Sequence, residues 1–452
     1  MTGAGKGMNT DAFIGMVRDA GVVGEGGAGF PAHVKYAASV ETVIANGCEC
    51  EPLLYSDQYI MGNHAPEIVQ ALKAVVHATG ASRGVIAIKR KYTGAAKAFK
   101  RFLDDGSLEL AQLDNFYPAG DEHILVHEIT GKTIPPLGLP KEVGALVANV
   151  GSLYSVNGAM NARPVTRKVV TVTGEVENPG VIQVPIGTRV ADCIAHCGGP
   201  ATDDPVYVMG GPMMGHFLDT PGNLDQAVIT KTSGGIIVLP RGHYLHECAT
   251  LSLEVMRKRA ATACIQCRYC TDLCPRYLVG HSFETHKVMR AFGGGEDSAM
   301  GAMQALLCCE CGVCELFSCP MRLSPRRINA ALKGSFGKQG VSYDGIREVR
   351  PQQSALRDYR KIPVPRLAMK LGISGYMDIH PHDGGAFEPD RVVIPLKQHI
   401  GAPADSMVKV GDRVRTGDMV GEIPGDALGA RVHASISGKI VRVSDSVVIE
   451  RS

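Results

Sequence analysis

Two runs of cysteine decide what chemistry this chain can do. The first is Cys264-x2-Cys267-x2-Cys270-x3-Cys274, followed by Pro275; the second is Cys308-x2-Cys311-x2-Cys314-x4-Cys319, followed by Pro320. Three thiolates at i, i+3 and i+6 on a tight loop can take three corners of a [4Fe–4S] cube. The fourth, ahead of a helix-breaking proline, reaches away to the other cube. The spacing predicts two [4Fe–4S] clusters with crossed fourth ligands. One is held by Cys264, Cys267, Cys270 and Cys319, the other by Cys308, Cys311, Cys314 and Cys274. Zinc sites favour paired CxxC or added histidine over two CxxCxxC triplets. Disulfides would need an oxidising compartment, and the opening MTGAGKGMNTDAF has no apolar signal segment. Cys309 sits inside the second run without entering its spacing and reads as a packed thiol.

The chain before the cysteines carries four polar turns. Gly24-Glu-Gly-Gly-Ala-Gly-Phe-Pro31 matches G-x-G-x-x-G in letter, yet a helix and a short Val-Val precede it where a dinucleotide loop should follow a strand. Its glycines still let backbone N–H groups approach a phosphate or a flat ring, with Lys35 as counter-charge; the alternative is a tight loop with no ligand. The apolar Val43–Ala45 runs into Asn46-Gly-Cys-Glu-Cys-Glu-Pro52. Strand ends in α/β sheets are where ligands sit, and Glu49 and Glu51 are costly to bury there unless they bond something. Cys48 and Cys50 read as structural thiols. Phe116–His123 and Ala148–Gly151 are further turns of this kind, so three could converge on one ligand.

The elements that must position these turns follow from periodicity. Residues 10–20 predict a short amphipathic helix capped by Thr10 or Asp11, with Phe13, Ile14 and Val17 on its apolar face. That face serves either its own core or, less in keeping with such faces, a partner or shell. Residues 66–79 and 93–104 predict helices around the strand Val85–Ile88, an α/β arrangement with a mostly parallel sheet. Lys89-Arg90-Lys91 reads as a solvated strand end. Further on, 169–172, 180–184 and 235–239 are strand-like, and Cys193 and Cys197 lie one helical turn apart on a packed helix. Residues 335–365 read as a linker or wrap. Short alternating strands with Gly-Asp turns from Val408 onward predict a small β domain.

Composition sets the outer limits. A formal net charge of +2 implies no general nucleic-acid field, and no apolar run reaches the roughly 18 residues that a membrane helix needs. Cysteine abundance without a signal segment points to a reducing, cytoplasmic setting and to metal.

The first domain resembles the flavin- and NADH-binding subunit of respiratory complex I, and more closely the RnfC component of the Rnf electron-transport complex. GEGGAGFPAHVK (24–35), VIANGCECEPLLYSDQYIM (43–61), FYPAGDEHIL (116–125) and LVANVGSLYSV (146–156) carry the resemblance, with RKVVTVTGEVENPG (167–180) and GGPMMG (210–215) downstream. The resemblance implies FMN held by Gly24, Gly26, Gly27, Lys35, Asn46, Glu49, Tyr117, Gly120, Asp121, Glu122 and Asn149. It implies NADH stacking near Phe30, with Glu51 and Glu122 close to its polar groups. Four positions depart from the complex I pattern: Glu25 stands for Arg, Cys48 for Asp, Asp121 for Glu, and Ala148 for one of two adjacent Asn. Residues 167–240 resemble a β-grasp, soluble-ligand-binding domain. The C-terminal segment resembles a barrel-sandwich hybrid of the biotinyl/lipoyl type, with Ser435-Ile436-Ser437 where the carrier lysine would stand, so no lipoyl or biotin is expected.

The expected fold is therefore multidomain, α/β plus β. A Rossmann-like flavin domain spans 1–160, a β-grasp domain 161–245, a two-cluster ferredoxin-like domain 246–335, a linker 336–365 and a barrel-sandwich hybrid 366–452. In Rnf proteins of this type the hybrid domain precedes the flavin domain. Its C-terminal place here is similar to the order in the cobalamin reductases of bacterial propanediol-utilisation microcompartments. That likeness implies electron flow from NADH through FMN and two clusters to cobalamin. It also implies a corrinoid adenosyltransferase and microcompartment shell proteins as partners, and a cytoplasmic, microcompartment location. An Rnf-like electron-input component of a membrane complex and a non-enzymatic iron–sulfur relay are the competing readings.

Overall fold

A computed structural model of the chain describes residues 9–103, 106–218, 221–294, 298–345, 347–350 and 355–451. The opening eight residues and Asp104, the last residue of the helix expected over 93–104, lie outside them.

Strands Thr42–Gly47, Arg83–Lys89, Glu109–Leu113 and Ala145–Asn149 form a parallel sheet, with 42–47 between 83–89 and 145–149 and 109–113 at the edge. Val43, Ile44, Val85–Ile88 and Ala145–Ala148 are buried, the near-continuous apolar pattern of a parallel sheet covered on both faces. Helix Ala65–Ala78 begins with Pro66 in its first turn and buries Ile68, Leu72 and Val75. Gly80, at φ +65°, lets the chain leave it. Helix Thr10–Asp19 is capped by Asn9, whose side chain accepts from the Asp11 N–H, rather than by Thr10 or Asp11. The cap belongs to the residue before the first helical one, and Thr10 is already helical. Phe13 and Val17 enter the domain's own core beside Tyr36, so the face serves packing. Lys89 corrects the expectation of a solvated strand end. It is 1% exposed, because its strand ends inside the domain beside the acidic turn 48–51.

A six-stranded sheet follows, in the order His382–Ala386, Gly180–Pro185, Arg167–Gly174, Gly235–Pro240, Pro205–Met209, His216–Phe217. The helix Val190–His196 packs on it and buries Cys193 and Cys197 among Val and Ile side chains. The edge strand 382–386 comes from beyond the cysteine region and pairs parallel to 180–185.

The cysteine runs lie among short helices joined by left-handed residues, Gln266, Arg268, Glu310 and Gly312, which turn the chain around each run. After helix Pro325–Lys338 the chain returns to the first domain. Ile362 pairs with Tyr117, and helix Val364–Leu371 packs into a cluster containing Tyr117, Met213, Cys311 and Leu316. Arg357 and Lys361 both bond Glu128 of the first domain.

The C-terminal domain has two small sheets, one of 391–395, 446–450, 438–443 and 413–414, the other of 405–406, 419–422 and 432–433. Its core is continuous with that of the first domain. Ala434, Ser435 and Ile436 are at most 2% exposed, and Ser435 Oγ donates to Ile186 O at 2.5 Å. Ser435 and Ile436 of the turn that would present a carrier lysine are thus packed against the β-grasp domain, while Ser437 stays exposed. Ser435→Lys should lower the thermal midpoint by several degrees and cost on the order of 3 kcal/mol, since overpacking and an uncompensated buried charge act together. Differential scanning calorimetry checks this; an unchanged midpoint would mean that the turn is open in solution.

Candidate functional site: the flavin turns and the cysteine runs

Three of the polar turns, 46–52, 116–123 and 148–151, follow strands of the parallel sheet and meet at its C-terminal edge, where the glycine loop joins them through Gly26 and Asn149. Asn46, at the end of its strand, donates through Nδ2 to Gly120 O at 2.9 Å and accepts from Cys48 N–H at 3.1 Å. This ties the second turn to the third. Asn149 accepts from Gly151 N–H at 2.8 Å, capping helix Val150–Met160, and donates to Asp57 at 2.8 Å. A Cβ on Gly26 would come within 3.1 Å of Asn149, and one on Gly120 within 2.5 Å of Cys48 O. These glycines are required by close approach. The glycine loop lies open, and among the described residues the N–H groups of Gly26 and Gly27 donate to no protein acceptor. Lys35 reaches Glu122 at 2.7 Å at the same mouth. Backbone donors in a glycine cradle beside an ammonium group suit a phosphorylated flat ring such as FMN. Gly24 closes the loop by donating to Phe30 O, and Phe30 is 37% exposed, an open aromatic face at the loop's end.

The acidic turn is held from several sides. Glu49 accepts from Glu51 N–H at 2.9 Å, and Tyr92 OH donates to Glu49 O. Glu51 accepts from Met213 N–H at 2.8 Å and Met214 N–H at 2.9 Å, so its carboxylate is engaged by the β-grasp loop Gly210–Gly215. Burial pushes the Glu51 carboxyl up to about 7 and raises Glu49 and Asp57 as well, while burial lowers Lys89, a cation beside Glu49 and Glu51. Glu25, where complex I carries Arg, pairs with Lys168 of the β-grasp domain; both side chains are under 9% exposed. Its backbone N–H and carboxylate are fixed by Ser152 and Ser155.

Cys264, Cys267, Cys270 and Cys319 line one cavity. Burial, then the charges of Cys319, Cys264 and Cys267, push the Cys270 thiol up to about 12. Burial also raises Cys274 and Cys314, each of which has Cys308 as a charged neighbour. Cys274, Cys308, Cys311 and Cys314 all resist ionising at this depth, and a cationic cluster would take them as thiolates. Among the described residues no three His, Cys, Asp or Glu side chains converge tightly enough to hold a single metal ion. The two sets differ in depth. Cys274, Cys308, Cys311 and Cys314 are 6–8% exposed, whereas Cys267 is exposed and flanked by Ile265 at 61% and Tyr269 at 54%.

The buried set touches the flavin turns. Tyr117 OH donates to Cys311 O at 2.7 Å, and Arg276, two residues after Cys274, donates to Asp121 at 2.9 Å. Asp121 uses its other oxygen to cap helix Glu122–Thr130. Met213 fills the space beside Tyr117 and Cys311, and its carbonyl accepts from Arg326. Cys309 is no surface thiol; it lies beside Arg276 and Cys311. Asp57, Lys89, Lys168, Met213 and Arg276 escape sequence reading, since nothing local marks them. The GGPMMG loop is visible as a motif, but its role as a donor to Glu51 is not.

These features define a class: an α/β flavin domain wired through a β-grasp module to a dicluster iron–sulfur domain. Residues 17–158 match the Nuo51 FMN-binding domain family, 169–217 the SLBB domain, 263–324 the 4Fe-4S dicluster domain and 385–452 the RnfC barrel sandwich hybrid domain. The chain is 41% identical over 443 residues to Cobalamin reductase PduS of Salmonella typhimurium, covering 98% of this chain and 96% of that protein. It is 40% identical over 437 residues to its counterpart in Citrobacter freundii, covering 96% and 94%. It is 33% identical over 281 residues to a component of the Na(+)-translocating ferredoxin:NAD(+) oxidoreductase complex of Acetobacterium woodii, covering 60% of this chain and 59% of that one. The fold is similar to that of an NAD+-reducing [NiFe]-hydrogenase in its H2-reduced state, at TM-score 0.50 and 21% identity over 72% of this chain and 62% of that one. The chain belongs to the cobalamin reductase family.

The raised Glu51 carboxyl makes a stability prediction. Its folded value of about 7 exceeds the ordinary 4.5, so the folded chain binds more protons than the unfolded chain between those limits. The group's contribution to stability is therefore lost as pH rises across that interval. Thermal unfolding of flavin-free protein should show a midpoint that falls from about pH 4.5 to 7, and a shallower fall in Glu51→Gln. Equal slopes in the two proteins would refute a titrating Glu51.

Proposed function

We propose that this chain is an NADH-dependent flavin/iron–sulfur reductase that delivers electrons to cobalamin, taking cob(III)- or cob(II)alamin toward cob(I)alamin for coenzyme B12 recycling in propanediol degradation. The observation that carries this reading is the direct junction of the flavin turns with the buried cysteine set, through Tyr117–Cys311 and Asp121–Arg276, in a chain that matches cobalamin reductases end to end. When bound, FMN would convert the two-electron hydride chemistry of NADH into single electrons, which two [4Fe–4S] clusters can carry.

The residues proposed to hold the flavin are Gly24, Gly26, Gly27, Lys35, Asn46, Glu49, Tyr117, Gly120, Asp121, Glu122 and Asn149. The open glycine loop and the Lys35–Glu122 pair support the phosphate end, and the exposed Phe30 supports nicotinamide stacking. Glu51, bonded to two backbone N–H groups, acts on that region through the β-grasp loop. The proposed cluster ligands are the crossed sets, Cys264, Cys267, Cys270 and Cys319, and Cys308, Cys311, Cys314 and Cys274. The buried set is the entry and the exposed set the outlet, where Ile265 and Tyr269 face solvent. A corrinoid adenosyltransferase would consume the product, and shell proteins of a microcompartment would house the pair. No helix among the described residues is long and apolar enough to cross a membrane. The domains run, on this reading, 1–160, 161–245, 246–335 and 366–452, joined by 336–365.

Anaerobic absorbance tests the function. NADH should bleach flavin and cluster bands together, and aquacobalamin should restore them as the cob(II)alamin band grows. Protein that binds no flavin and ignores NADH would leave only an iron–sulfur relay. Cys274→Ala should remove the EPR signal of the cluster on the second run and leave the other; loss of the first cluster alone would refute crossed ligation.

A further inference from the structure

We propose that Arg276 sets the reduction potential of the cluster held by Cys308, Cys311, Cys314 and Cys274, with Asp121 of the flavin turn as its counterweight. The inference rests on the two-cluster reading and goes beyond it, since it assigns a tuning role to residues that ligate nothing.

Arg276 follows Cys274 and Pro275, so its backbone is carried by the segment that supplies the crossed ligand. Its side chain is only 11% exposed. Nη2 donates to Asp121 Oδ2 at 2.9 Å, while Nη1 is buried without a hydrogen bond of good geometry, and the guanidinium lies against the Cys309 thiol beside Cys311. A guanidinium held this deep, with Nη1 unbonded and Cys309 and Cys311 beside it, faces a site whose filled form offers sulfur acceptors: thiolate and sulfide. Its charge already acts on both Cys309 and Cys311. Net charge and hydrogen bonds to sulfur are the levers by which a protein moves a cluster's potential. A positive charge stabilises the more negative, reduced cluster and raises its potential; a carboxylate opposes it. Asp121 is placed to do so, since one oxygen meets Arg276 and the other caps the helix that opens the third flavin turn. The pair therefore couples the electron-entry turn to the cluster beside it. Among the described residues no comparable cation is enclosed at the exposed set, where Arg268 is 46% exposed and shared between Asp272 and Glu284 at 3.8–3.9 Å.

The test is an EPR-monitored redox titration of the full chain, purified anaerobically with its clusters. Arg276→Gln should lower the midpoint of the buried cluster and leave the exposed one unchanged; Arg276→Lys should restore it toward the parent value. Asp121→Asn keeps a capping side chain but removes the opposing charge, and should raise the same midpoint. Opposite shifts confined to one cluster are not what a merely structural latch would produce. Unchanged midpoints in both variants, or equal shifts at both clusters, would overturn the proposal. Should Arg276→Gln fail to assemble its cluster, the sign of the Asp121→Asn shift decides: a rise supports the proposal, no shift or a fall overturns it. A parent protein with one cluster signal would overturn the two-cluster reading and this proposal together, whereas two signals without the shifts would overturn this proposal alone.

Discussion

Burial of one cysteine set beneath a flavin turn is the constraint on which the rest of the molecule depends. Four thiols proposed to bind a cluster as thiolates sit at 6–8% exposure, and charge at that depth is tolerated only where hydrogen bonds and counter-charge surround it. The protein meets this from every side. Tyr117 bonds the Cys311 carbonyl, Arg276 bridges to Asp121, and Met213 fills the gap between them. The segment after the clusters then comes back over the junction, pairing Ile362 with Tyr117 and packing helix Val364–Leu371 against it. Water is kept from the junction, and the flavin turn is held in register with the cysteine loop.

The remaining domains brace that junction. The β-grasp loop Gly210–Gly215 gives two N–H groups to Glu51 and a carbonyl to Arg326, so it touches the flavin domain and the cysteine domain together. Lys168 enters the flavin domain to neutralise Glu25 at the root of the glycine loop. Lys231, fully buried, donates to Gly21 O and Arg431 O, drawing the flavin, β-grasp and hybrid domains to one point. The hybrid domain uses its Ala434–Ile436 segment as an interface, with Ser435 bonded to Ile186 of the β-grasp domain.

What can be read in advance is what is local. The cysteines proposed as cluster ligands lie three to five residues apart and each run ends in proline, so their chemistry shows in the spacing. The polar turns show through glycine and acid at strand ends. What escapes is what depends on partners far along the chain. Glu51 finds its donors 162 residues away and Arg276 its acceptor 155 residues away, and neither distance leaves a trace in periodicity. Lys89 is misleading for the same reason: a basic residue at a strand's end looks solvated until the acidic turn of the neighbouring strand is placed beside it. Cys309, which fits no ligand spacing, lies against Arg276 and Cys311.

The central claim is an order of sites: flavin turns, then the buried cysteine set, then the exposed one. Rapid-freeze EPR after mixing the anaerobic protein with NADH tests it most directly, with the two cluster signals assigned through single cysteine variants. The account predicts that the signal of the cluster on Cys308, Cys311, Cys314 and Cys274 rises first and that the signal of the cluster on Cys264, Cys267, Cys270 and Cys319 follows. An exposed-set signal that appears first, or that develops normally in protein lacking the buried cluster, would contradict it.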